Sequence, residues 1–135
     1  MVAKEGATAS PRTGRAIRFF LLFEAATYLG AALSHFGIFV GGYEHRAAGT
    51  AESVIATVLL AGLAATWTAP AFTRGTGLAA QTLALLGTLV GLFTIAIGVG
   101  PRTVPDLAYH VSIVGVLIWG LVVAKRTPSG ARPSA

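Results

Sequence analysis

Cysteine is absent from the 135 residues, and charged side chains make up only 11% of them. Without cysteine there is no disulfide exchange chemistry and no thiolate metal site. A soluble domain ordinarily carries about 25% charged residues, so the second deficit is too large for a surface that faces water throughout. Acid is scarcer than base, with five Asp and Glu against ten Lys and Arg and a net charge of +5. That excess does not point to nucleic acid, because the basic residues gather in the tails instead of interleaving with aromatics. The signatures of hydrolytic and phosphate chemistry are also missing: no Gly-x-Ser-x-Gly elbow, no His-Glu-x-x-His, no phosphate-cradling glycine loop. Ser34 precedes His35, but neighbouring helical residues diverge by about 100°, so they are not a nucleophile and its base.

What the chain has instead is apolar sequence, 54% of its residues, in four long runs. The first, Ile17 to Val40, would make a helix of ~36 Å, enough to cross a hydrocarbon core of ~30 Å. It is longer than a signal-peptide core, contains Glu24 and His35, and lacks a small-x-small cleavage site, so it reads as a retained first span. Three more spans are expected at about 51–69, 76–99 and 106–124. Pro70 stops the second, Pro101 and Pro105 stiffen the loop before the fourth, and Lys125 and Arg126 end it. Residues 1–14 and 127–135 read as disordered tails around a single membrane domain over residues 15–126. Four spans on short loops imply an all-α, up-down-up-down four-helix membrane bundle in contact with lipid. Eight of the ten basic residues fall on the side of the two tails, which places both termini in the cytoplasm and the protein in the cytoplasmic membrane.

Small residues at Gly87, Gly91 and Gly98 in the third span suit close helix packing, within the bundle or between copies in a homo-oligomer or larger membrane complex. The polar residues sort by depth into two sites. Glu24 lies ~10 Å in from the cytoplasmic edge and His35 ~8 Å below the outer edge, too far apart to share a ligand. Glu24, Tyr28, Ala31 and His35 nonetheless form one stripe, which should face the bundle interior because a carboxylate in lipid is costly.

The inner site comprises Glu24, Tyr28 and Gln81 and reads either as a structural hydrogen-bond cluster or as a proton or cation site. An acid in the first of four spans resembles the device with which small multidrug exporters couple to protons. The strong charge bias of this chain departs from their pattern. The outer site is denser: His35, Glu52 at the start of the second span, and Asp106, Tyr109 and His110 opening the fourth, with Glu44 and His45 above them in the loop. Asp106 and His110 are four apart and share a face. Two histidines and a carboxylate suit a transition metal, and two opposed histidines suit haem b. Plain first-turn helix positions account for Glu52 and Asp106 equally well. Function on this reading is that of a binding or accessory membrane subunit rather than a stand-alone enzyme. The rivals are a metal or haem redox protein using His35 and His110, and a small proton-coupled transporter using Glu24.

Overall fold

The structure, a computed structural model, describes residues 11–128. It contains α1 (Pro11–His35), α2 (Arg46–Thr68), a single 3-10 turn (Pro70–Phe72), α3 (Thr73–Ala96) and α4 (Val104–Arg126), and there is no strand among the described residues. All four α-helices are long and apolar enough to cross a membrane. The all-α, four-helix class expected from the sequence is therefore observed, with each helix able to span a membrane. Most of the two expected tails, residues 1–10 and 129–135, lies outside the described residues. Residues 11–14, assigned above to the first tail, open α1.

Helix ends differ from the hydropathy boundaries for local reasons. The first span was expected to reach Val40, but α1 stops at His35. Gly37 takes φ +74°, the Gly37 amide donates to Ser34 O and the Ile38 amide to Leu33 O. That is the Schellman arrangement, in which a left-handed glycine folds the chain back over the last carbonyls. The apolar residues that follow, Ile38 to Val40, are exposed in the loop. A second such stop ends α3 at Ala96. There Gly98 has φ +85°, its amide donates to Ile95 O and that of Val99 to Thr94 O. Arg102 then closes over the last carbonyls, those of Ile95 and Ala96, the favourable place for a cation. Gly98, counted above among the packing glycines, is thus a helix stop.

In the other direction, α2 starts earlier than Ala51, because His45 caps it by accepting from the Ala48 amide. Glu52 becomes its seventh residue, beyond the first turn. Thr103 and Asp106 form a reciprocal capping box that starts α4.

Each helix buries one narrow stripe. On α4 this is Asp106, His110, Ile113, Leu117, Gly120 and Ala124, and on α2 it includes Glu52, Ala56, Leu59, Leu63 and Thr66. The 4-3 spacing is the seam of near-parallel packed helices. No more than 33% of any span is buried. The remaining faces, with Phe19, Phe93 and Trp119 prominent, present apolar side chains outward, as contact with lipid requires.

Small residues decide which helices come closest. An ideal Cβ at Gly77 would lie 2.5 Å from Ile17 Cγ2, and one at Gly62 would lie 2.7 Å from Ala80 Cβ. These approaches bring α3 against α1 and α2. Gly87 faces Ile55 and Gly91 faces His110, so both glycines are used inside the bundle. Helix α1 packs on α2, α4 and, across the diagonal, α3, whereas α2 and α4 do not pack on each other among the described residues. The unfilled diagonal between α2 and α4 is where the outer polar groups meet.

Candidate functional site

The last residue of α1, His35, is 2% exposed and reaches both helices of the open diagonal. Its Nδ1 lies 2.7 Å from Glu52 Oε2 on α2, and its Nε2 lies 3.0 Å from Asp106 Oδ1 on α4. Both nitrogens donate at once only in the imidazolium; in a neutral ring one carboxyl must supply the proton. Two protons make two bonds in either case, and the three groups then carry one net negative charge. Tyr43 lies nearly parallel to the imidazole, 12° between planes and 5.5 Å between centroids.

The support behind this triad is ordered. Asp106 Oδ2 accepts from the Thr103 hydroxyl at 2.5 Å and from its amide at 3.3 Å. Since the Thr103 proton goes to Asp106, the Tyr43 hydroxyl donates to Thr103 Oγ1, at 2.5 Å. Burial pushes the Tyr43 phenol above its ordinary pKa, which keeps it a donor. Glu44 takes no part: its carboxylate accepts from the Gly42 amide at 3.0 Å, and this backbone contact holds its pKa below the usual range.

His110 sits at the same end but is not opposed to His35 across a shared atom. Its Nδ1 donates to Asp106 O at 2.8 Å. That fixes a proton on Nδ1 and, in the neutral ring, leaves Nε2 as an acceptor beside Gly91, where an ideal Cβ would be 3.2 Å away. Both nitrogens of His35 are spent on carboxylates, so it has no lone pair to offer an iron or zinc ion. Among the described residues no group of three His, Cys, Asp or Glu is arranged to hold a metal. The expected site with His35, Glu52 and His110 around one metal or haem is therefore not assembled here. Carboxylates from two helices reach the histidine first.

A cavity of about 160 Å³ opens beside the triad, between α2, α3 and the start of α4. Ala47, Ala51, Ile55, Val90, Ile95 and Val99 give it apolar walls, while Glu52 and His110 supply polar atoms. Glu52 is 4% exposed, and its Oε1 has no hydrogen-bond partner although Oε2 holds His35. Tyr109, grouped with this cluster from the sequence, packs edge-on against Tyr28 and His110, and its buried hydroxyl has no partner either.

The inner site is separate and closed. Gln81 Nε2 donates to both oxygens of Glu24, at 3.0 and 3.2 Å, and both residues are fully buried. Tyr28 turns away from Glu24 and donates to Thr88 Oγ1, which passes its own proton to Ala84 O. Sequence reasoning missed Gly120. An ideal Cβ there would stand 2.1 Å from Gln81 Nε2 and 2.8 Å from Glu24 Oε1. A glycine on the buried 4-3 stripe of α4, level with two polar groups, was the available signal.

No protein-family model matches the chain, and no curated protein or solved structure matches it. The site has to be read from its own geometry.

Gln81 Oε1 is buried without a partner. In Glu24→Gln the new amide would supply the donor that this oxygen lacks while its carbonyl still accepts from Gln81 Nε2. The variant should fold and melt at or above the wild-type temperature in detergent, the gain being about 1 kcal/mol, typical of one buried hydrogen bond. A clear loss of stability would show instead that the carboxyl itself is needed at this position.

Proposed function

We propose that this chain is a multi-pass protein of the cytoplasmic membrane that binds a small molecule at its outer end, acting as a binding or accessory subunit. The observation that carries this reading is Glu52, which uses one carboxylate oxygen to hold His35 and leaves the other unpartnered on the wall of the cavity. Buried polar atoms are ordinarily satisfied, and one left open beside a largely apolar cavity is the pattern of a ligand site. Orientation rests on charge: eight of ten basic residues lie on the side of the termini, which makes that side cytoplasmic and directs the cavity outward. A reporter in the 41–45 loop that reads cytoplasm would reverse this orientation.

The rival readings have less support. A redox centre on His35 needs a nitrogen that is not already committed, and a transporter on Glu24 needs access to a carboxylate that is fully enclosed. Ala51 is exposed at the cavity wall, so Ala51→Phe places a ring across it without disturbing the packed stripe. Wild-type protein taken from its native membrane into nanodiscs should release a small molecule other than lipid in native mass spectrometry, and Ala51→Phe should not. Identical spectra for the two proteins would sink the pocket reading.

A further inference from the structure

The chemistry of the cavity wall narrows what it can hold. Glu52 Oε1 is an acceptor without a donor, and in a neutral His110, whose Nδ1 carries the proton, Nε2 is a second acceptor. Tyr28 and Thr88 also line the cavity, but their hydroxyl protons are already given to Thr88 Oγ1 and Ala84 O. His45 accepts from the Ala48 amide at Nδ1, so its proton lies on Nε2, a donor that can serve a hydroxyl or carbonyl group but brings no positive charge in the neutral ring. No Lys or Arg lines the cavity among the described residues. The triad behind Glu52 carries one net negative charge whichever way its two protons are shared. A ligand carboxylate or phosphate would face that charge without a counter-ion. A purely apolar ligand would leave Glu52 Oε1 as it is, buried and unsatisfied.

Size sets the other limit. A cavity of about 160 Å³ is comparable to one of ~150 Å³ that accommodates benzene. The body of the ligand is thus no larger than about one ring or a short branched chain. In its absence, water can serve the polar end, donating at most two hydrogen bonds where an ammonium donates three.

Resting on the pocket reading above, we propose that the site takes a small organic cation, a protonated amine on a compact apolar body, with its nitrogen on Glu52 Oε1 and within reach of His110. Glu52 then acts as a counter-ion on one side and as the clamp of His35 on the other. Binding the amine neutralises the net charge of the triad.

Benzylamine, benzyl alcohol, toluene and benzoate share one ring and differ at the polar end. They can be titrated by calorimetry against the full chain in nanodiscs of zwitterionic lipid. Benzylamine should bind about ten- to a hundredfold tighter than benzyl alcohol, the factor expected for a charge-assisted hydrogen bond over a neutral one. Benzoate should not bind. Glu52→Gln should reduce the amine-to-alcohol ratio to about one, and Ala51→Phe should abolish binding of all four. If Glu52→Gln does not fold, the wild-type ratio decides alone. Equal or tighter binding of benzyl alcohol or toluene, still blocked by Ala51→Phe, would overturn the ligand class and leave the pocket standing. An amine preference that survives Ala51→Phe would place the cation elsewhere and overturn the proposal. Failure of all four probes to bind would overturn the proposal and the pocket reading together.

Discussion

His35→Ala should destabilise the bundle by on the order of 3–5 kcal/mol, the range for removing one partner of a buried charge pair. The imidazole is the partner of two carboxylates, Glu52 at 2.7 Å and Asp106 at 3.0 Å, both nearly inaccessible. Truncation leaves Glu52 with neither oxygen bonded, since Oε1 already lacks a partner. Asp106 loses less, because Thr103 still serves its other oxygen. The residue also spans the diagonal that helix packing does not close among the described residues, so the loss should appear first at the N-terminal ends of α2 and α4. Hydrogen exchange there should rise well before it rises near Glu24. Adding Glu52→Gln to His35→Ala should recover part of the loss by removing the unpaired charge. A change in melting that corresponds to less than ~1 kcal/mol, the level of an exposed pair, would show that the triad is solvated in practice.

Gly120→Ala should cost nearly as much, although it adds only a methyl group. Its Cβ would occupy space held by Gln81 Nε2, 2.1 Å away, and by Glu24 Oε1, 2.8 Å away. Overpacking of this kind costs typically 1–3 kcal/mol. Displacing Gln81 also breaks the side-chain hydrogen bonds that Glu24 accepts from it, for a further ~1–3 kcal/mol. Gly115, on the same helix, has nothing within 4 Å of its Cβ position. Gly115→Ala should therefore be neutral or slightly stabilising, as expected from the ~1 kcal/mol advantage of alanine in a helix. Combining Gly120→Ala with Gln81→Ala should recover only the overpacking against Gln81, because Glu24 stays without its donor and its Oε1 still stands 2.8 Å from the new methyl. Similar melting temperatures for Gly120→Ala and Gly115→Ala would mean that α4 shifts freely away from the pair.

These two positions also show what could be read from the sequence. Hydropathy alone located the four helices, and helical periodicity placed Glu24, Tyr28 and His35 on one inward stripe, where the structure has them buried. Depth put His35, Glu52, Asp106 and His110 at one level. Depth is blind to rotation about a helix axis, and rotation selects which side chain on α4 meets His35. Asp106 and His110 are one turn apart on the same face, and the carboxylate at the helix start is the one in reach. The other gap concerns glycines. Gly98 and Gly91 look alike in the string Gly87 to Gly98, yet Gly98 has a left-handed backbone and Gly91 a helical one. Gly120 is legible only when two polar groups are known to sit opposite it.

The polar contacts of α1 also carry a consequence for biogenesis. Glu24 finds Gln81 at a separation of 57 residues, and His35 finds Asp106 at 71. During synthesis the first span therefore emerges with both groups lacking these partners, long before α3 and α4 exist. A lone acid in hydrocarbon is costly, so α1 gains by remaining beside the insertion machinery until the later helices arrive. Glu52 is 17 residues from His35, so it is available first, and α1 and α2 can enter the bilayer as a hairpin already joined next to its connecting loop. Ribosome-bound chains truncated after α2 should consequently protect His35 while Glu24 stays reactive, and only chains that include α3 should shield both.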